Sequence, residues 1–130
     1  MSLGAGNTGR EFDLETNRRI AEFKFIHWRG GPEAIRQNQL FKDFYLLSES
    51  RSLKRKYLYV LGTEHPLRFF NGRRALATSV LTRNDALLRQ FKAAHGDKYA
   101  VVRDYYLPHK DRVQIVDVSN WIPELIADPP

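Results

Sequence analysis

Two short segments in which polar and apolar residues alternate limit this chain most strongly in the folds it can adopt. Residues 11–15 and 19–26 have this two-residue period, and Thr16, Asn17 and Arg18 lie between them. The pattern is typical of strands with one buried face, so it predicts a β-hairpin. One face of the second strand is then expected to carry Ile20, Glu22, Lys24 and Ile26, and the other Ala21, Phe23 and Phe25.

The hairpin register brings two acidic residues together. If the loop is even and centred between Asn17 and Arg18, the numbers of paired residues sum to 35, and Asp13 lies opposite Glu22. Their Cβ atoms would be about 5 Å apart. Two facing carboxylates repel each other unless a proton or a cation lies between them. Lys24 on the same face would offset part of this repulsion. A divalent cation such as Mg²⁺, which prefers carboxylate oxygens, would offset more of it.

Helical and strand patterns alternate through the rest of the chain. Pro32 and Glu33 suit the first turn of a helix that is expected to run to about Ser50. Its buried stripe would contain Ile35, Leu40, Phe41, Phe44, Tyr45 and Leu47. An apolar β-type run follows at residues 56–61 and ends at Gly62.

Residues 66–95 have a helical pattern in one or two pieces, with a second start at Asn84 and Asp85 and a stop at Gly96. The buried face of the second piece would contain Leu87, Leu88, Phe91 and Ala94. Residues 113–118 predict a further strand, and we expect the tyrosines at 57, 59, 105 and 106 to pack or lie along strands. The order strand, strand, helix, strand, helix, strand predicts a mixed α/β fold with helices covering a sheet.

Composition excludes several classes of protein. The 130 residues suit one domain, residues 11–130, preceded by a Gly-rich flexible leader at 1–10. No apolar run approaches the roughly 20 residues of a membrane-spanning helix, and no secretory signal is evident. Cysteine is absent, which excludes disulfides and thiolate metal sites and is typical of a reducing compartment. We therefore expect a cytoplasmic protein without a membrane partner.

The net charge of +6 indicates an anionic partner or a solvated basic face. Basic residues are dense in two stretches, formed by Arg51, Lys54, Arg55 and Lys56 and by Arg68, Arg73 and Arg74. Opposite a polyphosphate, such a surface gains from counterion release and steering.

The hairpin charges have a chemical use. A metal held by Asp13 and Glu22 can polarise a phosphodiester and lower the pKa of a bound water. Lys24 can stabilise the charge that develops during hydrolysis or orient the attacking water. The alternative is a surface hairpin in which the glutamate and the lysine form a weak, exposed ion pair.

Asp13, then Glu22-Phe23-Lys24 after eight intervening residues, then a helix, resembles the PD-(D/E)xK phosphodiesterase superfamily of restriction-endonuclease-like nucleases. The resemblance implies a mixed sheet flanked by helices and metal-dependent cleavage of nucleic acid, as in DNA endonucleases of restriction or repair type. It implies that Asp13 and Glu22 bind Mg²⁺, with Mn²⁺ as a substitute. The carbonyl of Phe23 would be a further ligand and Lys24 the catalytic lysine.

Some members of this superfamily place a glutamine on the following helix, which Gln37 or Gln39 could match, although both could simply face solvent. Phe12 stands where the motif often has a proline, and only twelve residues precede Asp13. We therefore expect the usual N-terminal helix and strand of the family to be missing. The loop containing His27, Trp28 and Arg29 is a candidate for stacking on a base or holding a phosphate, while a tryptophan in such a position is more often a core anchor.

Three functions follow from these observations. The chain is a metal-dependent nuclease, a non-catalytic nucleic-acid-binding module on the same fold, or a structural or interaction domain with an ion-paired hairpin. DNA is the expected partner, and RNA and a homodimer remain open.

Overall fold

The computed structural model describes residues 14–24 and 34–118, with side chains for residues 15–22 and 35–118. The described strands are β1 Leu14–Glu15, β2 Arg19–Lys24, β3 Arg55–Val60 and β4 Gln114–Asp117. The described helices are α1 Ala34–Glu49, α2 Glu64–Asn71, α3 Ala77–Val80, α4 Asp85–His95 and α5 Val102–His109, with 3₁₀ turns at Leu81–Arg83 and Lys110–Arg112. The sheet order is β1-β2-β3-β4; β1 is antiparallel to β2, and the other three strands are parallel. The fold is therefore mixed α/β with a three-stranded parallel sheet.

The β1–β2 hairpin has the predicted register. Leu14 pairs with Ala21 and Glu15 with Ile20, so both pairs sum to 35. The backbone N–H of Thr16 donates to the carbonyl of Arg19 at 2.9 Å, and the Thr16 hydroxyl accepts from the N–H groups of Arg18 and Arg19. This side-chain bonding is the usual way in which threonine supports a tight turn. The predicted continuation of the hairpin to residues 11–13 and 25–26 lies outside the described residues.

Helix α1 covers one face of the sheet and supplies much of the core. Ile20 of β2 and Leu58 and Val60 of β3 pack in one buried cluster with five of the predicted α1 residues, Leu40, Phe41, Phe44, Tyr45 and Leu47. The prediction for Ile35 was wrong, because its side chain is 55% exposed. At 3.6 residues per turn, Ile35 lies about 180° around the helix from Phe44, so it cannot share the buried stripe.

The predicted start and stop of α4 are confirmed. The Asn84 side chain accepts from the N–H of Leu87 at 3.1 Å, and Gly96 ends the helix with a φ of 57°. Ala94 was predicted to be buried but is exposed. The last turn of α4 contacts the core through His95, whose ring lies 5.7 Å from that of Tyr45, and the short side chain of Ala94 does not take part.

Helix α5 was not predicted from the sequence. Val101 and Val102 at its start and Pro108 near its end are poor helix formers, which hides the helical pattern. Tyr105 and Tyr106 pack against the core as expected, but from a helix rather than a strand. In the part of the chain that the structure describes, no helix has both the length and the apolar character needed to span a membrane.

Candidate functional site

The carboxyl ends of β2, β3 and β4 lie at one edge of the sheet because these strands are parallel. Helix α1 connects β2 to β3, so it returns the chain from this edge to the amino ends of the strands. Just after the C-terminal end of α1, the carbonyl of Ser50 accepts from Lys56 Nζ near the start of β3 at 2.6 Å, so this end of the helix lies at the amino ends of the strands. The first turn of α1 therefore lies at the carboxyl ends of the strands, and we call this region the carboxyl edge. In open α/β sheets, ligands usually bind outside this edge.

Glu22 is the predicted metal ligand whose side chain is described. It is in register with Leu58 and only 8% exposed. Because side chains alternate along a strand, it lies on the same face as Ile20, which packs with α1. A carboxylate in this position needs hydrogen bonds, an opposite charge or a metal to offset the loss of hydration.

The peptide of Phe23 has a defined direction. The carbonyl of Arg19 accepts from Thr16 on the β1 side, whereas the carbonyl of Arg18 accepts from Arg55 on the β3 side. Successive carbonyls along a strand point in opposite directions, so that of Phe23, like that of Arg19, points to the β1 side. This is the side on which the resemblance expects Asp13.

Of the other predicted residues in and beside the hairpin, only the backbone of Lys24 is described, and it is in register with Val60. Asp13, His27, Trp28 and Arg29 lie outside the described residues. Within residues 14–24 and 34–118, no group of three or more histidine, aspartate or glutamate side chains is placed to hold a metal. The two described donors of the predicted site, the Glu22 carboxylate and the Phe23 carbonyl, are hard oxygen donors and suit Mg²⁺.

The structure separates the two candidate glutamines. Gln37, in the first turn of α1, lines a pocket of about 440 Å³. We call this the arginine pocket, and its lining consists of Gln37, Arg74, Ala75, Leu76, Ser79, Val80, Thr82 and Arg83. Gln39 is not among these residues and lies about 200° around the helix from Gln37. Gln37 is therefore the candidate glutamine that lies beside Arg74 and Arg83.

One contact holds the arginine pocket against α1. The buried side chain of Asn38 donates from Nδ2 to the carbonyl of Val80 at 2.7 Å. This bond links the first turns of α1 to the chain segment that carries Arg74 and Arg83. The two guanidinium groups come from residues far from the hairpin in sequence, so sequence reasoning did not connect them with Gln37.

Asp117 at the end of β4 is a carboxyl-edge residue that sequence reasoning missed. Val60 is in register with both Lys24 and Asp117, and Asp117 Oδ1 accepts from the N–H of Gly62 at 3.0 Å. Strands β2 and β4 are two spacings, or about 10 Å, apart. Asp117 therefore ties the loop after β3 to the end of β4. An acid at the end of a predicted strand is the sequence signal for it.

The basic stretches seen in the sequence separate in space. Arg55 and Lys56 begin β3 and so lie at the amino ends of the strands, opposite the carboxyl edge. Arg74 lines the arginine pocket, and Arg68 is paired with Glu64 on the exposed side of α2 at 3.2 Å. Arg55 is in register with Arg19, and from Arg19 to Glu22 β2 spans about 10 Å, so Arg55 lies about that far along the strands from the predicted metal site.

A second group of ionisable side chains lies near the C-terminal end of α1. The Tyr105 hydroxyl donates to Glu49 Oε2 at 2.6 Å, and the Tyr45 hydroxyl lies 3.1 Å from His95 Nε2. Burial raises the pKa of Tyr105, and burial with help from the Glu49 charge raises the pKa of Tyr45 to about 12. Burial lowers the pKa of His95 below its ordinary value of 6.5. Because these groups bond to each other within the aromatic core, we assign them a structural role.

Comparisons of the chain with protein-family models, with curated proteins and with solved structures give no match. The class that the structure itself defines is an α/β domain with a β-hairpin, a parallel sheet and a polar carboxyl edge.

Proposed function

We propose that this protein is a metal-dependent nuclease that hydrolyses phosphodiester bonds, with DNA as the substrate. Asp13 and Glu22 hold Mg²⁺, the carbonyl of Phe23 is a further ligand, and Lys24 is the catalytic lysine. The observation that supports this most directly is the hairpin register. In both described pairs of the hairpin the residue numbers sum to 35, and continuing the same register would place Asp13 opposite Glu22.

The arrangement of the chain adds two further points of support. A helix follows β2 and returns from the carboxyl edge, as the resemblance to PD-(D/E)xK nucleases implies. Glu22 is buried, and a carboxylate in a region of low dielectric interacts more strongly with a cation than an exposed one does.

The residues then divide the work of hydrolysis. The bound metal supplies a Lewis acid and a water of lowered pKa. Lys24 stabilises the negative charge that develops on the phosphate or orients the attacking water. Arg74 and Arg83, with the side chain of Gln37, bind a neighbouring phosphate in the arginine pocket, because guanidinium groups match phosphate geometry.

Calorimetric titration of Mn²⁺ tests the metal site first. We expect saturable binding to the unmodified protein and loss of that binding in both Asp13→Asn and Glu22→Gln. Glu15→Gln is the matched control, since Glu15 lies in the same hairpin but is exposed and paired with Lys54 at 2.7 Å. Equal binding in Glu22→Gln and Glu15→Gln would remove the mechanism.

Cleavage of a supercoiled plasmid with Mg²⁺ tests the reaction. We expect Lys24→Ala to abolish cleavage while leaving Mn²⁺ binding in place, because a catalytic lysine acts on the reacting phosphate rather than holding the metal. Cleavage by Lys24→Ala at the unmodified rate would exclude this role.

A non-catalytic nucleic-acid-binding module is the second candidate, favoured by the basic residues at the amino ends of the strands. It predicts DNA binding that weakens steeply with salt, without cleavage in Mg²⁺ or Mn²⁺. Absence of both binding and cleavage would leave a structural or interaction domain.

A further inference from the structure

Two open grooves adjoin at the amino ends of the parallel strands. The first has a volume of about 1120 Å³ and the second about 520 Å³. They share the residues Ser52, Leu53, Lys54, Arg55 and Tyr57, so they lie on the two sides of the segment that leads into β3. We treat them as one surface and call it the amino-edge groove.

The amino-edge groove is strongly basic. Its lining contains seven basic residues, Arg18, Arg19, Arg51, Lys54, Arg55, Lys56 and Arg112. Asp111 is the acidic residue in the lining. Glu15, outside the lining, is paired with Lys54 of the groove. Seven positive charges against the negative charges of Asp111 and Glu15 leave a formal excess of five.

The groove brings several cations together. Arg19 and Arg55 are in register on adjacent strands, whose spacing is about 4.8 Å. The Arg19 guanidinium donates to the Tyr59 hydroxyl at 2.7 Å, which fixes its position on the sheet beside the groove.

Lys56 Nζ donates to the carbonyl of Ser50 at 2.6 Å, and Arg112 lines the same part of the groove. Burial and, to a smaller extent, the charge of Arg112 lower the pKa of Lys56, while the charge of Glu49 opposes this. A bound polyanion would interact favourably with these closely placed cations.

Aromatic and apolar groups accompany the charges. Tyr57 lines both parts of the groove, and its ring stacks on that of Tyr59 with centroids 5.7 Å apart and an angle of 2°. Leu53 is 102% exposed, so it makes no packing contact that would explain an apolar residue there. Cationic grooves that contain aromatic side chains are typical of surfaces that bind nucleic acids, because bases stack on the rings.

We propose that the amino-edge groove binds the phosphodiester backbone of a nucleic acid. The identity of this ligand rests on the proposed nuclease function, while the groove itself is separate from the predicted metal site. Along β2, Arg19 of the groove and Glu22 of the predicted metal site are about 10 Å apart, which is about three nucleotide steps of one DNA strand. The groove therefore holds the substrate several nucleotides away from the bond that is cut.

The test measures binding of a fluorescein-labelled 20-base-pair DNA duplex by anisotropy, in EDTA and at salt concentrations from 50 to 200 mM. The groove variant combines Arg18→Gln, Arg51→Gln and Arg55→Gln, three exposed positions. Its matched control combines Arg89→Gln, Lys92→Gln and Lys98→Gln, which are exposed in or just after α4 and remove the same charge. Thermal unfolding of both variants verifies that they fold.

We expect the groove variant to bind DNA about tenfold or more weakly than the control, with a salt slope reduced by about three. Equal losses in both triple variants would mean that net charge alone matters, and equal retention would mean that the groove is not used. Either result overturns the proposal. Loss of binding to phosphatidylserine vesicles, with DNA binding unchanged, would also overturn it and identify a membrane surface instead.

Leu53→Glu provides an independent test that does not depend on the stability of the triple variant. Because Leu53 is fully exposed, the substitution leaves the core unchanged and adds a negative charge to both parts of the groove. We expect weaker DNA binding than in Leu53→Gln, and equal binding of the two variants would contradict the proposal. Parallel assays with single-stranded RNA of the same length determine which nucleic acid is preferred.

The outcomes separate this proposal from the proposed function. Mn²⁺ binding should be unchanged in the groove variant, because no predicted metal ligand is altered. Groove-dependent DNA binding without metal binding or cleavage would reject the nuclease and keep the groove. Metal-dependent cleavage that is unchanged in the groove variant and in Leu53→Glu would support the nuclease and reject the groove.

Discussion

The substitution Tyr105→Phe removes one hydroxyl group from the centre of the helical core and leaves the ring in place. Tyr105 is 0% exposed, and its hydroxyl donates to Glu49 Oε2 at 2.6 Å. A hydrogen bond to a charged acceptor contributes about 1.5–3 kcal/mol. Glu49 is partly exposed, so water can partly replace the lost donor, and we expect a loss of about 2 kcal/mol in the free energy of unfolding.

The expected loss is large enough for two independent assays. With an unfolding entropy of about 2.1 cal/mol/K per residue, 2 kcal/mol corresponds to a fall of about 7 °C in Tm for a chain of 130 residues. Urea denaturation should show a lower midpoint with an unchanged slope, because the surface exposed on unfolding is the same.

Tyr106→Phe is the control for the hydroxyl of Tyr105. Tyr106 is also buried, but its hydroxyl has no hydrogen bond to another described residue, so we expect a change below about 0.5 kcal/mol. A double-mutant cycle should show that Tyr105→Phe costs less in a Glu49→Gln background. Equal effects of the two tyrosine substitutions, or no coupling to Glu49, would refute the assignment of stability to this bond.

Three further predictions concern capping, backbone conformation and pH. Asn84→Ala should lower stability by about 1 kcal/mol, measured by urea denaturation, because the bond to the N–H of Leu87 is lost. Gly96→Ala should lower it by about 1–3 kcal/mol, since the φ of 57° strains any residue with a Cβ. Lowering the pH below 6.5 should reduce the urea midpoint. The pKa of His95 is lowered in the folded protein, so the unfolded chain binds more protons at these pH values. His95→Gln should reduce this pH dependence. Raising the pH above 10 should also reduce the urea midpoint. Tyrosine ionises there in the unfolded chain, whereas Tyr45 in the folded protein, with a pKa of about 12, stays protonated.

Local patterns in the sequence were enough to predict the main elements. The hairpin register followed from the loop between Asn17 and Arg18, and the start and stop of α4 followed from Asn84 and Gly96. Helix α5 could not be predicted in this way, because its stability comes from tertiary packing. Tyr105 contacts rings from α1 and α4, which compensates for the weak helix propensity of the segment.

The candidate site was predictable only where its residues are close in sequence. Glu22, Phe23 and Lys24 form a local motif, and their shared strand is observed. The arginine pocket brings Gln37 together with Arg83, an arrangement that depends on how α1 packs against the following helices. For the same reason, the sequence could not show that the basic residues fall at two opposite ends of the strands.

The long connection between β3 and β4 has a consequence for how the protein is made. Fifty-three residues, from Leu61 to Val113, separate the two strands, which are neighbours in the sheet. At synthesis rates of about 5–20 residues per second, β3 waits roughly 3–10 s before β4 leaves the ribosome. During that interval the edge of β3 that β4 will occupy, with Leu58 and Val60 beside it, is open to pairing with other chains. Newly made chains should therefore be most prone to aggregate before β4 has been synthesised.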